Sequence, residues 1–480
     1  MNKLTRRDFL RAGELAAAAW VLSACAPAAA PQVIKEVVKE TVIVEGTPKV
    51  VEKVVEKVVE KTVVVEAAAK EPTTLEWWPG WPGNYMLAIA KLFEDANPGI
   101  KLNAVLNYPE KQAVLAAVAA GTTPDLIADI PYMELIVRDV FLEIDDRLTE
   151  FPDLAIKDGD IPEALWEVFA WEGKHYGIPS VDTAGRQGLG INARVAEEAG
   201  LDPENPPRTW TEAFEWHKKM TTYDDAGNLN VLGFDPMAER TDACTDGDPW
   251  MWPHMWGFAY IKDNVYDIDR AETVEFLTVI KRFAEDVGPE KIDGLNTAFS
   301  GMSRGPFGQG KVGMRITYPS GPAGVYRINP KDKYVFTWVP MPDNRRDVTM
   351  QTAGGHAGMI MKASKHPDEA FKLAVFLTQD AACNVLFKEV GWIGPRLSWQ
   401  AKADLSSYPD HVASAIRYFT DSMKNADEVW WNNDPIEGIT ASEWERVFQG
   451  VRHGELTPED GARQMQENLT KELEQMLEAR

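Results

Sequence analysis

Tryptophan is the side chain whose placement first suggests a binding chemistry in this sequence. The chain has 17 Trp against 12 Tyr and 7 His. Many of these Trp stand beside Pro, Gly and Asp in loop-like segments, namely WWPGWPGN (77–84), DGDPWMWPHMW (246–256), VGWIGPR (390–396) and VWWNNDP (429–435). An indole offers an apolar plane to the C–H face of a pyranose, and neighbouring Asp, Asn and His satisfy its hydroxyl groups. The pattern predicts a sugar-type site, with burial in a core or an interface as the alternative for each Trp.

Motifs for catalysis and for metal binding are incomplete. GPFGQGK (305–311) has the glycine and lysine skeleton of a P-loop, but Val312 stands where a Ser or Thr would hold magnesium. The glycine run at 308–313 precedes a predicted strand, whereas a dinucleotide site needs such a run after a strand. The aspartates of 242–248 lack the EF-hand glycine and distal glutamate, which favours a solvated loop over a calcium site. We expect no cofactor, no metal and no catalytic residue, although a glycosidase-type carboxylate pair stays open.

The charge balance excludes one class of partner. Lys and Arg number 50 against 74 Asp and Glu, for a formal net charge of −24. A surface this acidic repels phosphate backbones, so we expect no nucleic-acid partner. An anionic solute such as a polyol phosphate stays open only if a local basic patch forms from Arg186, Arg304, Arg315 and Arg396. We expect Cys244 and Cys383 to be free thiols, with their pairing as the alternative.

The first 24 residues have the features of an export signal. Arg6 and Arg7 precede an apolar run, 15–24, that is too short to span a bilayer as a helix. The arginine pair resembles a twin-arginine signal, and LSAC, which ends at Cys25, resembles a lipobox. The resemblance implies cleavage before Cys25 and acylation of its thiol. A disordered basic N-terminus or a short buried helix is the alternative.

Residues 25–71 form a Val/Glu/Lys-rich segment that we interpret as a tether. VVEK repeats three times over 50–61. A period of four fits neither a strand nor a coiled coil, and Gly46 and Pro48 interrupt regular elements. The sequence leaves open whether the tether is ordered. A Val-rich helix or a self-associating stalk is the alternative.

From residue 73 onward the sequence alternates strand and helix patterns. TLEWW (74–78), IKLNAVL (100–106) and PDLIADI (124–130) are predicted strands, separated by two predicted helices. Later strands are predicted at 188–192, 312–318 and 357–362. The alternation predicts the α/β class, with a parallel sheet covered by helices, and the length of 480 residues predicts more than one domain. Core positions are expected for three Trp within predicted helices, which are Trp210, Trp216 and Trp444.

A run of motifs in order gives the chain a family resemblance. These motifs are WWPGWPG, FEDANPGIKL, GTTPDL, GKHYGIPS, GLGINARVAEEAGLDPENPPRTWTEAFE, FGQGKVGM, GGHAGMIMKASKHPDEAFKLAVFLT and TPEDGARQM. The sequence over 73–480 resembles the family 1 extracellular solute-binding proteins of ABC importers. The resemblance implies a two-lobed periplasmic-binding-protein type II fold with a cleft between the lobes. It places lobe 1 at 72–182 and 345–403, and lobe 2 at 183–344 and 404–480.

The same resemblance implies which residues face the cleft. Ligand-binding roles fall on Trp78, Trp81, Asp129, Tyr132, Asp248, Trp250, Tyr318, Ser320, His356, Trp392, Trp430 and Trp431. Two departures from the family pattern bear on the site. Ile191 stands where members often have Tyr, and the 246–256 loop is unusually rich in Trp, which leaves the number of subsites open.

The resemblance also implies a mode of action. The protein would bind a sugar or oligosaccharide between closing lobes and deliver it unchanged to the transmembrane subunits of an ABC permease. It would be an extracytoplasmic monomer, anchored to the cell membrane by a lipid on Cys25. Three alternatives stay open: a surface-anchored glycoside hydrolase, a binding protein for a polyol phosphate or other small solute, and a lectin-like lipoprotein without a permease.

Overall fold

A computed structural model gives the architecture of the chain. It describes residues 34–44, 47–57, 71–81, 83–106, 111–128, 132–154, 156–180, 182, 184–237 and 250–478. The chain divides into two compact units, Met1–Lys70 and Glu71–Arg480. The predicted signal residues Arg6, Arg7 and Cys25 lie outside the described residues, as do Cys244 and the aspartates of 242–248.

The N-terminal unit contains a β-hairpin. β1 (Ile34–Val44) pairs antiparallel with β2 (Thr47–Lys57), in a register that places Lys35 opposite Glu56 and Lys39 opposite Glu52. The sequence left open whether this segment is ordered, and the structure gives it two paired strands. Valine is β-branched and favours strands regardless of the four-residue period, and Pro48 is tolerated near the start of β2. The role of 25–71 as a tether stays a prediction.

The second unit contains the remaining strands and all described helices. Its strands are β3 (Thr73–Trp78), β4 (Ile100–Ala104), β5 (Leu126–Ile127), β6 (Ala170–Trp171), β7 (Lys174–His175), β8 (Gly177–Pro179), β9 (Ala184–Gly185), β10 (Gly188–Asn192), β11 (Thr222–Tyr223), β12 (Leu229–Phe234), β13 (Ile261–Lys262), β14 (Val265–Tyr266), β15 (Val312–Thr317), β16 (Tyr334–Thr337), β17 (Met350–Gly354), β18 (Ala357–Ile360) and β19 (Glu428–Trp430). The strands are short, and helices cover the sheets that they form.

The α-helices are α1 (Asn84–Ala96), α2 (Lys111–Ala120), α3 (Tyr132–Val137), α4 (Asp145–Glu150), α5 (Glu163–Glu167), α6 (Ala193–Glu198), α7 (Trp210–Met220), α8 (Met251–Met255), α9 (Ala271–Val287), α10 (Pro289–Ala298), α11 (Gly305–Gly308), α12 (Gly321–Ile328), α13 (Pro367–Phe376), α14 (Asp380–Val390), α15 (Leu397–Gln400), α16 (Asp410–Asn425), α17 (Glu437–Arg452) and α18 (Pro458–Glu478). Short 3-10 turns lie at Pro152–Leu154 and Asp343–Arg345. In the described part of the chain, no single helix has the length and apolar composition of a membrane span, and α13 with α14 reaches it only as a bent pair.

The first large sheet is five-stranded, in the order β4-β3-β5-β18-β8. β3 runs parallel to β4 and β5, whereas β18 runs antiparallel to β5 and β8. Trp77 from β3, Phe93 from α1 and Phe371 from α13 meet in its core. The predicted α/β alternation is confirmed for this region. The parallel pairing predicted from the alternation at 74–130 holds for β3, β4 and β5, whereas β8 and β18 join the sheet antiparallel.

The second large sheet has the order β11-β12-β15-β10-β16 and is also mixed. β10 is antiparallel to β15 and β16, and β12 is parallel to β15. Every residue of β10 is buried. A Cβ at Gly190 would lie 3.0 Å from the Phe307 ring, which is closer than an ordinary van der Waals contact. Trp210 and Trp444 are core residues of this region, as expected, and Trp216 packs against the same core.

A small three-stranded sheet joins distant segments, in the order β19-β17-β9. β17 pairs in parallel with β19 and antiparallel with β9. Gln351 of β17 is buried and uses its amide on both sides of Gln187, accepting from the Gln187 N–H at 2.6 Å and donating to its carbonyl at 2.9 Å. The predicted lobe boundaries near 182 and 345 fall beside this sheet, and those boundaries stay a prediction.

Candidate functional site

One group of predicted site residues gathers after β3, between β17 and β18, and after α14. We call Trp81, His356 and Trp392 the Trp81 cluster. The Trp81 ring lies 4.6 Å from His356 in an edge-on arrangement and 4.7 Å from Trp392. Trp81 and Trp392 are both buried and belong to the core around the first sheet. In this conformation their indoles pack mainly against protein.

A second group adjoins the first, and we call it the arginine cluster: Asp182, Arg186, Arg304, Arg315 and Tyr318. All five side chains are buried. Arg186 donates to the carbonyl and the Oδ2 atom of Asp182, at 3.0 and 3.1 Å. Its guanidinium carbon lies 4.3 Å from the centroid of the Tyr318 ring, a cation–π contact.

The arginine cluster extends to Ser320 at the start of α12. Arg304 donates to the carbonyl and hydroxyl of Ser320, at 3.2 and 3.4 Å, and Arg315 donates to the Arg304 carbonyl at 3.1 Å. Asp182 and Arg304 both have left-handed backbones, with φ of 48° and 61°. Non-glycine residues adopt this conformation at a cost of order 1–3 kcal/mol, and such residues concentrate at functional sites.

The charges of the arginine cluster are coupled to the Trp81 cluster. Burial raises the pKa of Asp182, and the positive fields of Arg186, His356 and Arg304 oppose that rise. The two clusters also lie close together at α12, because a Cβ at Gly391, next to Trp392, would lie 2.7 Å from the Ala323 side chain and 3.9 Å from the Ser320 carbonyl oxygen.

A third group lines a cavity of about 500 Å³, which we call the indole cavity. Its walls come from the β6–β7 hairpin, the 254–264 segment and the 430–433 segment. Trp430 stacks on His254, with ring centroids 4.6 Å apart and planes 11° apart, and donates from Nε1 to Glu428 at 3.0 Å. Trp431 is 41 % exposed. Trp250 lies 5.7 Å from the same His254 ring.

The predicted site residues therefore separate into groups. Trp81, His356 and Trp392 form one cluster, which adjoins Tyr318 and Ser320, while Trp250, Trp430 and Trp431 belong to the region of the indole cavity. Trp78 is half-buried and packs against a different apolar group, which includes Ile127 and Met133. Asp129 and Asp248 lie outside the described residues, as does the side chain of Tyr132.

Several residues of these groups were not predicted as ligand-binding residues, namely Asp182, Arg186, Trp171, His254 and Asn433. Arg186, Arg304 and Arg315 were named as a possible basic patch, and they do lie together. Arg396 does not join them, since it donates to Thr378 at 2.8 Å and lies 3.9 Å from Asp160. Trp171 could have been predicted from the segment AWEGKH (170–175), which places a tryptophan in a tight hairpin.

Metal and thiol chemistry have little support in the described part of the chain. No three His, Cys, Asp or Glu side chains gather there as a metal site would require. Cys383 is free and buried, and burial raises the pKa of its thiol to about 12. A thiol with so high a pKa is almost fully protonated at neutral pH and is a poor nucleophile.

Comparison with known proteins gives consistent matches. The profile described as "Bacterial extracellular solute-binding protein" matches residues 88–435. A putative binding protein of Brucella abortus is 26% identical over 391 residues, which are 79% of this chain and 88% of that protein.

Two solved structures resemble the fold. CpMnBP1 with mannotriose bound superposes with a TM-score of 0.70 at 21% identity, covering 83% of this chain and 100% of that one. The maltose/maltodextrin-binding domain MalE from Bdellovibrio bacteriovorus, bound to maltotriose, gives 0.63 at 16% identity, covering 84% and 100%. These likenesses confirm the predicted α/β periplasmic-binding-protein type II fold.

Proposed function

The chain belongs to the bacterial extracellular solute-binding protein family, and from this premise we propose that it captures an oligosaccharide outside the cytoplasm for an ABC importer. Members of this family and the similar structures are non-catalytic binding proteins, so the chain is a binding protein and not an enzyme. The glycoside hydrolase alternative is thereby dropped.

The indole cavity is the observation that carries the proposal. About 500 Å³ lies within the usual range for small-molecule pockets. Trp431 presents an exposed indole there, and Asn432 and Asn433 stand beside it. This pairing of a flat apolar ring with short amides suits a pyranose, which is apolar on its C–H faces and polar at its edge. The similar structures were solved with mannotriose and maltotriose.

The predicted ligand-binding residues enter this proposal as a set. In our proposal the solute contacts the Trp81 cluster with Tyr318 and Ser320 at one end, and Trp250, Trp430 and Trp431 at the other. The proposed set of ligand-binding residues also includes four that are assigned by their position in the family pattern, namely Trp78, Asp129, Tyr132 and Asp248. Binding would be accompanied by closure of the two predicted lobes around the solute.

Export and anchoring form the remaining part of the proposal. The twin-arginine pattern at Arg6 and Arg7 would direct the chain across the membrane, and a lipid on Cys25 would hold it at the outer face. The transmembrane subunits of an ABC permease would then receive the solute. Labelling cells with a radioactive fatty acid tests the anchor: wild-type chain incorporates label, and a Cys25→Ala variant does not.

Calorimetric titration of the full chain with mannotriose and with maltotriose tests the solute class. Binding of either sugar, with the sugar recovered intact, supports the proposal. A matched pair of variants locates the site: Trp431→Ala weakens binding about tenfold through loss of the stacking face, and Trp216→Ala leaves affinity unchanged. Absence of binding to every oligosaccharide in a wider panel would contradict the carbohydrate assignment.

A second candidate solute is a small polyol phosphate. The observation in its favour is that Arg186, Arg304 and Arg315 lie together beside Tyr318. Titration with glycerol 3-phosphate in the same assay decides between the candidates, since only a phosphate-binding site loses affinity steeply as salt is raised.

A further inference from the structure

We infer that the indole cavity is a subsite for one uncharged, hydroxyl-bearing ring, and that Trp171 and His254 determine its specificity. The inference rests on the proposed function and gives it a chemical definition at one end of the solute. It follows from the orientation of three side chains in the cavity wall, from the exposed indole, and from the charges around the cavity.

Asn433 has an orientation fixed by two backbone carbonyls. Its Nδ2 atom donates to the carbonyls of Glu167 and Ala170, at 2.9 and 2.8 Å. Both amide hydrogens are therefore used, and the Oδ1 atom points away from these partners. Among the described residues, Oδ1 has no hydrogen-bond donor, although it is buried. Asn433 lines the cavity, so the wall includes a residue whose buried acceptor lacks a donor in the described part of the chain.

His254 supplies a second acceptor. Its Nδ1 atom lies 3.0 Å from the Phe258 carbonyl, which only accepts, so Nδ1 carries the hydrogen. Burial lowers the pKa of His254 to about 4, so the ring is neutral at pH 7 and Nε2 has a free lone pair. Nε2 is buried and has no donor within the described part of the chain. Stacking on Trp430 holds the ring in this orientation.

Trp171 supplies the complementary donor. Its Nε1–H is buried and has no acceptor among the residues that the structure describes. A hydroxyl group both donates and accepts, so hydroxyls at the edge of a sugar ring can pair with one N–H donor and two acceptors. An aliphatic ligand would leave all three atoms unpaired, and buried polar atoms without partners are unfavourable.

The exposed indole and the surrounding charges narrow the ligand further. Trp431 is the large aromatic side chain of the wall that is left exposed, and it offers a face for stacking. Glu167, Glu172 and Asp263 line the cavity against one cation, Lys262. This excess of negative charge disfavours a uronate or phosphate and favours a neutral ring.

The test uses the full chain and two conservative variants. Trp171→Phe keeps an aromatic ring and removes Nε1–H, and His254→Asn keeps a donor for the Phe258 carbonyl and removes Nε2. Each is titrated calorimetrically with mannotriose, maltotriose and trigalacturonate. We expect a neutral trisaccharide to bind the wild type, each variant to bind it about tenfold more weakly, and trigalacturonate to bind at least tenfold more weakly than the neutral sugar. Trp216→Phe, a half-buried Trp outside the cavity, is the matched control and leaves affinity unchanged.

The outcomes separate the inference from the proposed function. If a neutral sugar binds and Trp171→Phe and Trp431→Ala both bind it as the wild type does, the subsite is overturned and the proposed function stands. Tighter binding of trigalacturonate overturns the assignment of a neutral ring. If no sugar of the panel binds the wild type, the carbohydrate function fails, and the subsite fails with it. The Trp171 and Trp431 variants keep the test valid if His254→Asn does not fold.

Discussion

The arginine cluster and the indole cavity are built in opposite ways. In the arginine cluster, charged side chains are buried and bonded to protein: Arg186 donates to Asp182 Oδ2 and Arg304 donates to the Ser320 carbonyl, while Asp182 Oδ1 lacks a partner in the described part of the chain. In the indole cavity, charged side chains stay at the surface, and buried polar atoms of neutral side chains lack partners in the described part of the chain. The first arrangement stabilises the protein around it. The second arrangement suits a ligand that enters the cavity from solvent.

This difference teaches which residues to change for which effect. A buried ion pair is costly to break, because the partner left behind is a buried, uncompensated charge. A half-exposed aromatic ring contributes little to folding and much to a ligand that stacks on it. Substitutions in the arginine cluster should therefore lower stability, whereas substitutions in the indole cavity should lower affinity.

The largest effect is expected for Arg186→Met. This change removes the cation that is hydrogen-bonded to the buried Asp182 and the contact with Tyr318, so the free energy of unfolding should fall by about 3–5 kcal/mol. Urea denaturation measures it. The double variant with Asp182→Asn should recover a large part of the loss. A single variant as stable as the wild type would show that the cluster is not the stabilising region.

Acidification should lower the free energy of unfolding by about 3 kcal/mol through His254, which lines the indole cavity. Burial lowers the pKa of His254 to about 4 from 6.5 in the unfolded chain, so the unfolded state binds the proton more readily. The contribution of neutral, buried His254 to the free energy of unfolding is complete above pH 6.5 and is lost as pH falls toward 4. Burial raises the pKa of Asp182, which has the opposite sign and favours the folded state in acid. Denaturation of wild type and His254→Asn between pH 7 and 4 checks this, since the variant should show a smaller loss.

Gly391→Ala tests the contact between the Trp81 cluster and the arginine cluster. Gly391 has φ of 84°, and a Cβ there would lie 2.7 Å from Ala323. Strain and steric overlap together should lower the free energy of unfolding by about 2 kcal/mol. Gly454→Ala is a matched control, because it has a similar φ of 73° and no atom within 4 Å of the added Cβ. Equal losses in the two variants would mean that the contact contributes nothing beyond backbone strain.

The smallest effect on stability is expected for Trp431→Ala. Because 41 % of this residue is exposed, the free energy of unfolding should change by about 0.5 kcal/mol or less. Affinity for a bound oligosaccharide should nevertheless fall about tenfold. Denaturation and titration of one preparation give both values. A large stability loss without an affinity loss would reverse the roles assigned to the two regions.

Local patterns predicted the elements of the second unit well. The strand predicted at 188–192 is β10, and the strands predicted at 312–318 and 357–362 contain β15 and β18. The hairpin at 34–57 was not predicted, because its four-residue repeat matches neither the period of a strand nor that of a coiled coil.

The site was predicted less completely, because it depends on contacts between distant segments. The tryptophan-rich segments at 77–84, 390–396 and 429–435 were found from composition. Trp171 and Asn433 are 262 positions apart, and no spacing in the sequence brings them together. The missing hydrogen bonds of His254 and Asn433 follow from where their other atoms are bound, which only coordinates reveal.

The Asn433 amide affects how a ligand is recognised at the indole cavity. Its two bonds to the carbonyls of Glu167 and Ala170 fasten the loop at 430–433 to the turn that precedes Trp171. These bonds hold two walls of the indole cavity together before a ligand arrives. A wall that is already ordered loses little conformational freedom on binding, so selectivity at this end should come from fit rather than from adaptation.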